Sequence, residues 1–191
     1  MSLKAKIQWL VESAKANLPY TPEERESIRN YLHGDASTFN DYLRGKKNSS
    51  YVEAYAKRHV DRINSALDKT ANHQGFMTHR AIRSNTKTNY KVGNKYIHYG
   101  YMSTTKDPEL LHSDKLKRDL NQDKLDINMH LKVPKNHPHI DSAFDKNNQY
   151  KYQKEMILPH KTRFQVTKIE NKGNVKHVHG KVLPYEGDDH D

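Results

Sequence analysis

The chain has 191 residues, a formal net charge of +10, 34% hydrophobic residues and no cysteine. That length suits a single domain with its own core, and the missing cysteines exclude disulfides, thiol catalysis and cysteine-held zinc. No run approaches the roughly 20 apolar residues of a membrane span, and the N-terminus lacks the apolar core of a signal peptide, so an exported form would have lost its leader or need none.

Charge is uneven along the chain. Residues 1–72 hold 12 basic and 9 acidic groups, residues 73–185 hold 21 and 10, and residues 186–191 hold four acidic groups alone. The excess on the second stretch attracts anions such as phosphates or nucleic acid, although a basic, merely soluble surface accounts for it as well. The expected organisation is one domain, with a helical part over 1–72, a strand-rich body over 73–185 and an acidic tail.

In the first part, Ile7, Leu10, Val11 and Ala14 share a helical spacing over about 3–17, with Trp9 the only tryptophan. Thr21-Pro22-Glu23-Glu24 is a capping box with proline at the first helical position, so a second helix runs from Thr21 to about His33 and ends at Gly34. Ser37 or Thr38 caps a short third helix that closes at Arg44-Gly45, and Val52, Tyr55, Ala56, Val60, Ile63 and Leu67 stripe a fourth over about 50–70. These stripes are core positions. Arg44, where a helix ends and a turn opens, can lean over a neighbouring sheet, or stand exposed and interact with the helix dipole.

From Gly75 the period becomes two. Phe76 to Arg83 is a strand with Arg80 near its centre, and arginine there is costly unless it meets an anion or lies on an exposed face. Lys95 to Thr105 is a strand that runs into the hydroxyls of Ser103, Thr104 and Thr105, which can orient a carboxylate or cap the helix expected after Asp107. Asp126 to Val133 alternates as a strand, and Arg163–Ile169 with Val175–Leu183 forms a final hairpin. Of the 13 histidines, His137/His139 and His177/His179 share strand faces, but two ligands fall short of a zinc site and no metal is expected. Between these elements lies Tyr150-Lys151-Tyr152-Gln153-Lys154-Glu155-Met156-Ile157-Leu158-Pro159. Extended, it puts Gln153, Glu155 and Ile157 on one face: a carboxylate beside an amide, or the polar side of an edge strand.

In this order, Arg80, Tyr99-Gly100-Tyr101-Met102-Ser103-Thr104-Thr105 and Gln153-x-Glu155 resemble the bacterial mono-ADP-ribosyltransferases, most closely the small Rho-modifying exoenzymes. The resemblance implies an α+β fold, with a two-sheet β core that holds NAD in a cleft and an N-terminal helical cap. It implies Arg80, Arg44 and Thr104 as NAD-binding residues, and Ser103 orienting Glu155. Glu155 would hydrogen-bond the nicotinamide ribose and stabilise the oxocarbenium ion left as nicotinamide departs, a role that fixed carboxylates play at glycosidic bonds. Gln153 would select an asparagine or another non-arginine acceptor, and Tyr150 or Tyr152 would touch the target. Departures from the family pattern are Ala81 after Arg80, Thr105 as the third hydroxyl, and long loops over 107–125 and 144–153, the first of which leaves Arg118 as a possible NAD contact.

The expected activity is NAD-dependent transfer of ADP-ribose to an asparagine of a Rho-type small GTPase, with NAD glycohydrolase as a side reaction. Such a protein would be a secreted, monomeric, toxin-like effector that acts in a host cytosol and needs no metal. Two alternatives remain: the same fold with DNA, a nucleotide or another protein as acceptor, and a basic nucleic-acid-binding module whose aromatic strands stack bases.

Overall fold

The structure is a computed structural model that describes residues 19–70, 74–82, 89–114, 126–145 and 151–185. The helix expected over 3–17, Arg118, Tyr150 and the acidic tail lie outside the described residues.

Helix α1, Pro22–Asn30, starts as its sequence requires. Glu24 N donates to Thr21 Oγ1 at 3.2 Å and Thr21 N donates to Glu24 Oε2 at 2.7 Å, closing the capping box. Gly34 ends the helical run that begins at Pro22, as expected from the sequence. At φ 147° its backbone is not helical, and it kinks the segment Tyr31–Asp35 that leads from α1 to α2, Ala36–Leu43. Glycine carries no Cβ to clash at that φ, so the chain can change direction there and start the next helix at once. Neither Ser37 nor Thr38 is a cap, because α2 begins at Ala36. Helix α3, Ser50–Asp68, is capped by Ser49, whose Oγ accepts from Val52 N at 3.4 Å.

The strands are β1 (Phe76–Ile82), β2 (Lys95–His98), β3 (Met102–Thr105), β4 (Ile127–Val133), β5 (Ile140–Asp141), β6 (Glu155–Leu158), β7 (Thr162–Lys172) and β8 (Val175–Val182). Their hydrogen-bonded order is β2-β7-β8-β4-β1-β3-β6-β5, with β4 and β8 parallel and the other pairs antiparallel. The two-sheet core takes the form of a five-strand and a three-strand portion, joined between β1 and β3 by the single register pair His79↔Thr105. The strand expected over Lys95 to Thr105 is broken at Tyr99–Tyr101, and the break carries the chain from the β2 edge to the three-strand portion.

Two apolar clusters hold these parts. Ile28, Tyr31, Phe39, Val60, Ile63 and Leu67 of the helices pack with Tyr101, Ile140 and Ile157, whereas Met129, Leu131, Val166, Val178 and Val182 pack with Met102 and Leu158. Strand β6 therefore lies between two cores, with Met156, Ile157 and Leu158 all at 0% exposure. Burial of each such side chain is worth about 1.5–3 kcal/mol, so β6 is among the most firmly held pieces of chain. The edge-strand reading of this stretch fails, because β3 and β5 flank it.

Candidate active site

Glu155 is the first residue of β6, and Thr105 of β3 stands opposite it. Gln153 is not part of the strand. It ends a 3-10 turn, Lys151–Gln153, and Lys154 takes a left-handed φ of 44° between that turn and β6. Lys154 Nζ meets Asp107 Oδ2 at 2.9 Å, which ties the turn to the segment after β3. Gln153 and Glu155 still line one pocket of about 160 Å³ with His79, Arg80, Ser103 and Leu111.

A line of polar groups leads to Glu155. Ser103 stands near enough to its carboxylate to favour the ionised form. The Ser103 Oγ lies 2.8 Å from the Tyr31 hydroxyl, and Asn40 Nδ2 donates to that hydroxyl at 3.5 Å. The Tyr31 proton has two acceptors in reach, Ser103 Oγ at 2.8 Å and Tyr101 O at 3.5 Å, and when it goes to Ser103 the serine proton is free to point at the carboxylate. Burial pushes the Tyr31 phenol up to about 12, so it keeps its proton. Burial also pushes the Glu155 carboxyl above its ordinary range, and the Ser103 bond and the Arg80 charge pull it part of the way back.

Arg80 Nη1 donates to Ser103 O at 3.1 Å, and among the described residues Arg80 has no ion-pair partner. Burial depresses its pKa. A guanidinium held this way gains from an anionic ligand. Arg44, at the C-cap of α2, adds a second cation near Arg80, and its own contact with Asp41 is a long 3.5 Å. Gly100 permits this approach, because a Cβ there would lie 2.7 Å from Asn40 Oδ1 and 3.0 Å from Arg44 Nη2. His98, next to both cations, is pushed down to about 3 by burial and then by Arg80 and Arg44, so it is neutral. The residues thus fit NAD: two cations without strong counterions for a pyrophosphate, and an oriented carboxylate for a ribose.

The structure brings together Glu155, Gln153, Ser103 and Arg80, with Arg44 beside them. Thr104 also lines the pocket, but its hydroxyl is spent within the sheet, accepting from Thr78 Oγ1 at 2.5 Å and donating to Met156 O at 3.1 Å. Thr105 accepts from Asp107 N at 3.0 Å, so the hydroxyl cluster both orients the carboxylate and shapes the next turn. The helix expected after Asp107 is a short 3-10 turn, Pro108–His112, within the described residues. Tyr152 receives Gln153 Nε2 at 3.2 Å, which leaves the amide oxygen of Gln153 without a partner among the described residues. His137 and His139 sit in a turn rather than on a strand face, and no group of three or more His, Asp or Glu is arranged to hold a metal among the described residues.

Tyr31, Asn40 and His98 are site residues that sequence reasoning missed. Tyr31 and Asn40 read as ordinary helix positions, and only the kink at Gly34 and the crossing of Tyr99–Tyr101 bring them to Ser103. Tyr101 N donates to Asn40 Oδ1 at 2.7 Å across that crossing.

Two cations, a carboxylate and an amide two residues before it form a set that suits chemistry at the glycosidic bond of a dinucleotide. Residues 6–183 match the family model of the ADP-ribosyltransferase exoenzymes, and the chain belongs to that family. It is an NAD-dependent ADP-ribosyltransferase of the toxin type. Similar solved structures include Plx2a, an ADP-ribosyltransferase toxin from Paenibacillus larvae (23% identity, 95% of this chain and 96% of that one, TM-score 0.67). The Clostridium limosum C3 exoenzyme is similar at 14% identity over 96% of both chains, TM-score 0.70. BECa, an ADP-ribosylating toxin of a C. perfringens binary enterotoxin solved with NADH, shares 16% identity over 95% of this chain and 48% of its own, TM-score 0.70. At these identities the likeness establishes the fold. No curated protein sequence matches the chain.

Proposed function

We propose that the protein transfers ADP-ribose from NAD to an asparagine of a Rho-type small GTPase, as a secreted, toxin-like effector that acts in a host cytosol. The observation that supports this acceptor is Gln153, which lines the same pocket as Glu155 and whose amide oxygen has no partner among the described residues. A neutral amide can pair with an acceptor amide, whereas an arginine acceptor favours a carboxylate there.

Arg80 and Arg44 hold the pyrophosphate and fix the ribose against Glu155. As the bond from ribose C1′ to nicotinamide breaks, Glu155 stabilises the positive charge that develops at C1′, and Ser103 with Tyr31 behind it keeps the carboxylate in place. Gln153 orients the acceptor nitrogen, and Tyr152, on the turn before it, meets the target surface. Without an acceptor protein, water takes the same position and the enzyme hydrolyses NAD slowly.

The test is incubation with labelled NAD and purified Rho, and separately with a eukaryotic lysate. Label on Rho at an asparagine supports the reading; label on another protein, with none on Rho, removes the GTPase assignment. The basic catalytic body also favours a nucleic-acid acceptor, and label on DNA that vanishes with rising salt would put that reading first.

A further inference from the structure

His79 lines the pocket that holds Gln153 and Glu155, and Thr105 stands in register with both His79 and Glu155. Behind His79 runs a row of imidazoles. His79 Nδ1 lies 2.9 Å from His130 Nδ1, and His130 Nε2 lies 2.9 Å from His177 Nδ1. The His130 ring is parallel to that of His177, 2° apart with centroids at 5.2 Å, lies 4.8 Å from that of His179, and His179 Nε2 reaches Glu170 Oε2 at 3.2 Å. Burial, followed by the neighbouring imidazoles, holds His130 down to about 4, so it is neutral in ordinary buffers, and burial lowers His79 and His177 as well. The charged or titratable neighbours that act on these rings are Asp107, His112, Lys172, His179 and Glu170.

A neutral imidazole has one N–H and one lone pair. His130 bonds through both nitrogens, so one direction of donation runs through all three rings. If it runs outward, His79 presents the Nε2 lone pair to the pocket and His177 presents its Nε2–H to the far end. We propose that His79, His130 and His177 form a proton exit from the catalytic pocket, a role that rests on the transferase reading above.

The reaction needs such an exit. The C1′–N bond to nicotinamide breaks with its electron pair on nicotinamide, which leaves neutral. The acceptor heteroatom forms the new bond to C1′ with its own lone pair and must shed one proton. That proton passes through water in the pocket, which has room for a few molecules, to His79 Nε2. His79 then gives its Nδ1 proton to His130 Nδ1, His130 gives its Nε2 proton to His177 Nδ1, and His177 releases its Nε2 proton to solvent. One proton leaves per turnover, and nothing is oxidised or reduced. The relay serves transfer to protein and to water alike.

The experiment compares wild type with His79→Ala, His130→Phe and the milder His130→Gln. It measures kcat and KM for NAD, the solvent isotope effect, and thermal melts to confirm folding. The expected result is a fall in kcat of about 10-fold for His130→Phe and about 100-fold for His79→Ala, with KM for NAD unchanged. Free imidazole in the buffer should restore much of the His79→Ala loss. Folded variants whose kcat stays within about twofold of wild type would overturn the relay. So would a loss that imidazole does not rescue and that leaves the isotope effect unchanged, since that pattern marks a structural role. If wild type releases no nicotinamide from NAD, the transferase reading falls, and the relay with it.

Discussion

The helical cap and the sheet both bury polar groups, but they pair them differently. In the cap, unlike groups meet: Glu24 takes Lys69 Nζ at 2.5 Å and Ser65 Oγ at 2.7 Å, and Tyr101 donates to Asn64 Oδ1 at 2.7 Å, with His59 Nε2 the exception, buried without a partner among the described residues. Across the outer sheet face histidine meets histidine, and at the β1–β3 joint Arg80 has no carboxylate in salt-bridge contact among the described residues. Satisfied pairs stabilise a scaffold. Groups left short of a partner, as at Arg80, mark where a ligand or a proton is expected.

The largest effect should come from the unpaired side of this contrast. Arg80→Ala should lower NAD turnover by about 10³-fold while the melting temperature holds or rises, since it removes a desolvated cation. A large loss of stability instead would mean that Arg80 is structural. Acid should come next. His98 and His130 are held at about 3 and about 4, below an unfolded value near 6.5, so the unfolded chain binds more protons. Their contribution is complete above pH 6.5 and is lost as pH falls from there toward those values. Melts at pH 7 and pH 5 should differ on the order of 10 °C, with hydrogen exchange loosening the five-strand portion before the cap. Glu155 has the opposite sign, because its raised pKa weakens stability as pH rises through its titration.

In the cap, Glu24→Ala should cost about 3 kcal/mol, because it strands Lys69 and removes a capping partner, and KM for NAD should not move. A change in KM would show that the cap and the cleft are coupled through α1. The smallest effect lies where cap and site touch. Tyr31→Phe keeps the ring packed and removes one bond from Ser103, so kcat should fall about tenfold with stability within about 1 kcal/mol. An unchanged kcat would put Ser103 in position without Tyr31.

Much of this architecture was legible in the chain. The capping box at Thr21, the stripe of α3 and the hairpin of β7 and β8 rest on local rules, and the structure shows each. Arg80, Ser103 and Glu155 could be matched to a family because their order and neighbours are distinctive. Gly34 was legible as well, because a glycine that follows a helical run can take the positive φ that stops it, and the structure shows that φ. Gln153 misled because a period of two assumed extended backbone up to Glu155, and the left-handed Lys154 breaks it. The histidine row and the Asn40–Tyr31–Ser103 line lay beyond reach, since β1, β4 and β8 become neighbours only through the sheet order, and Tyr31 meets Ser103 from 72 positions away.

The central claim is that Glu155 is the carboxylate that drives cleavage of the glycosidic bond. The direct measurement is nicotinamide release from NAD by wild type and by Glu155→Gln, with NAD binding measured alongside by calorimetry. The account predicts release by wild type and a fall of at least about 10³-fold in the variant, with binding changed by less than about tenfold. A variant that binds NAD and releases nicotinamide within tenfold of wild type would contradict it.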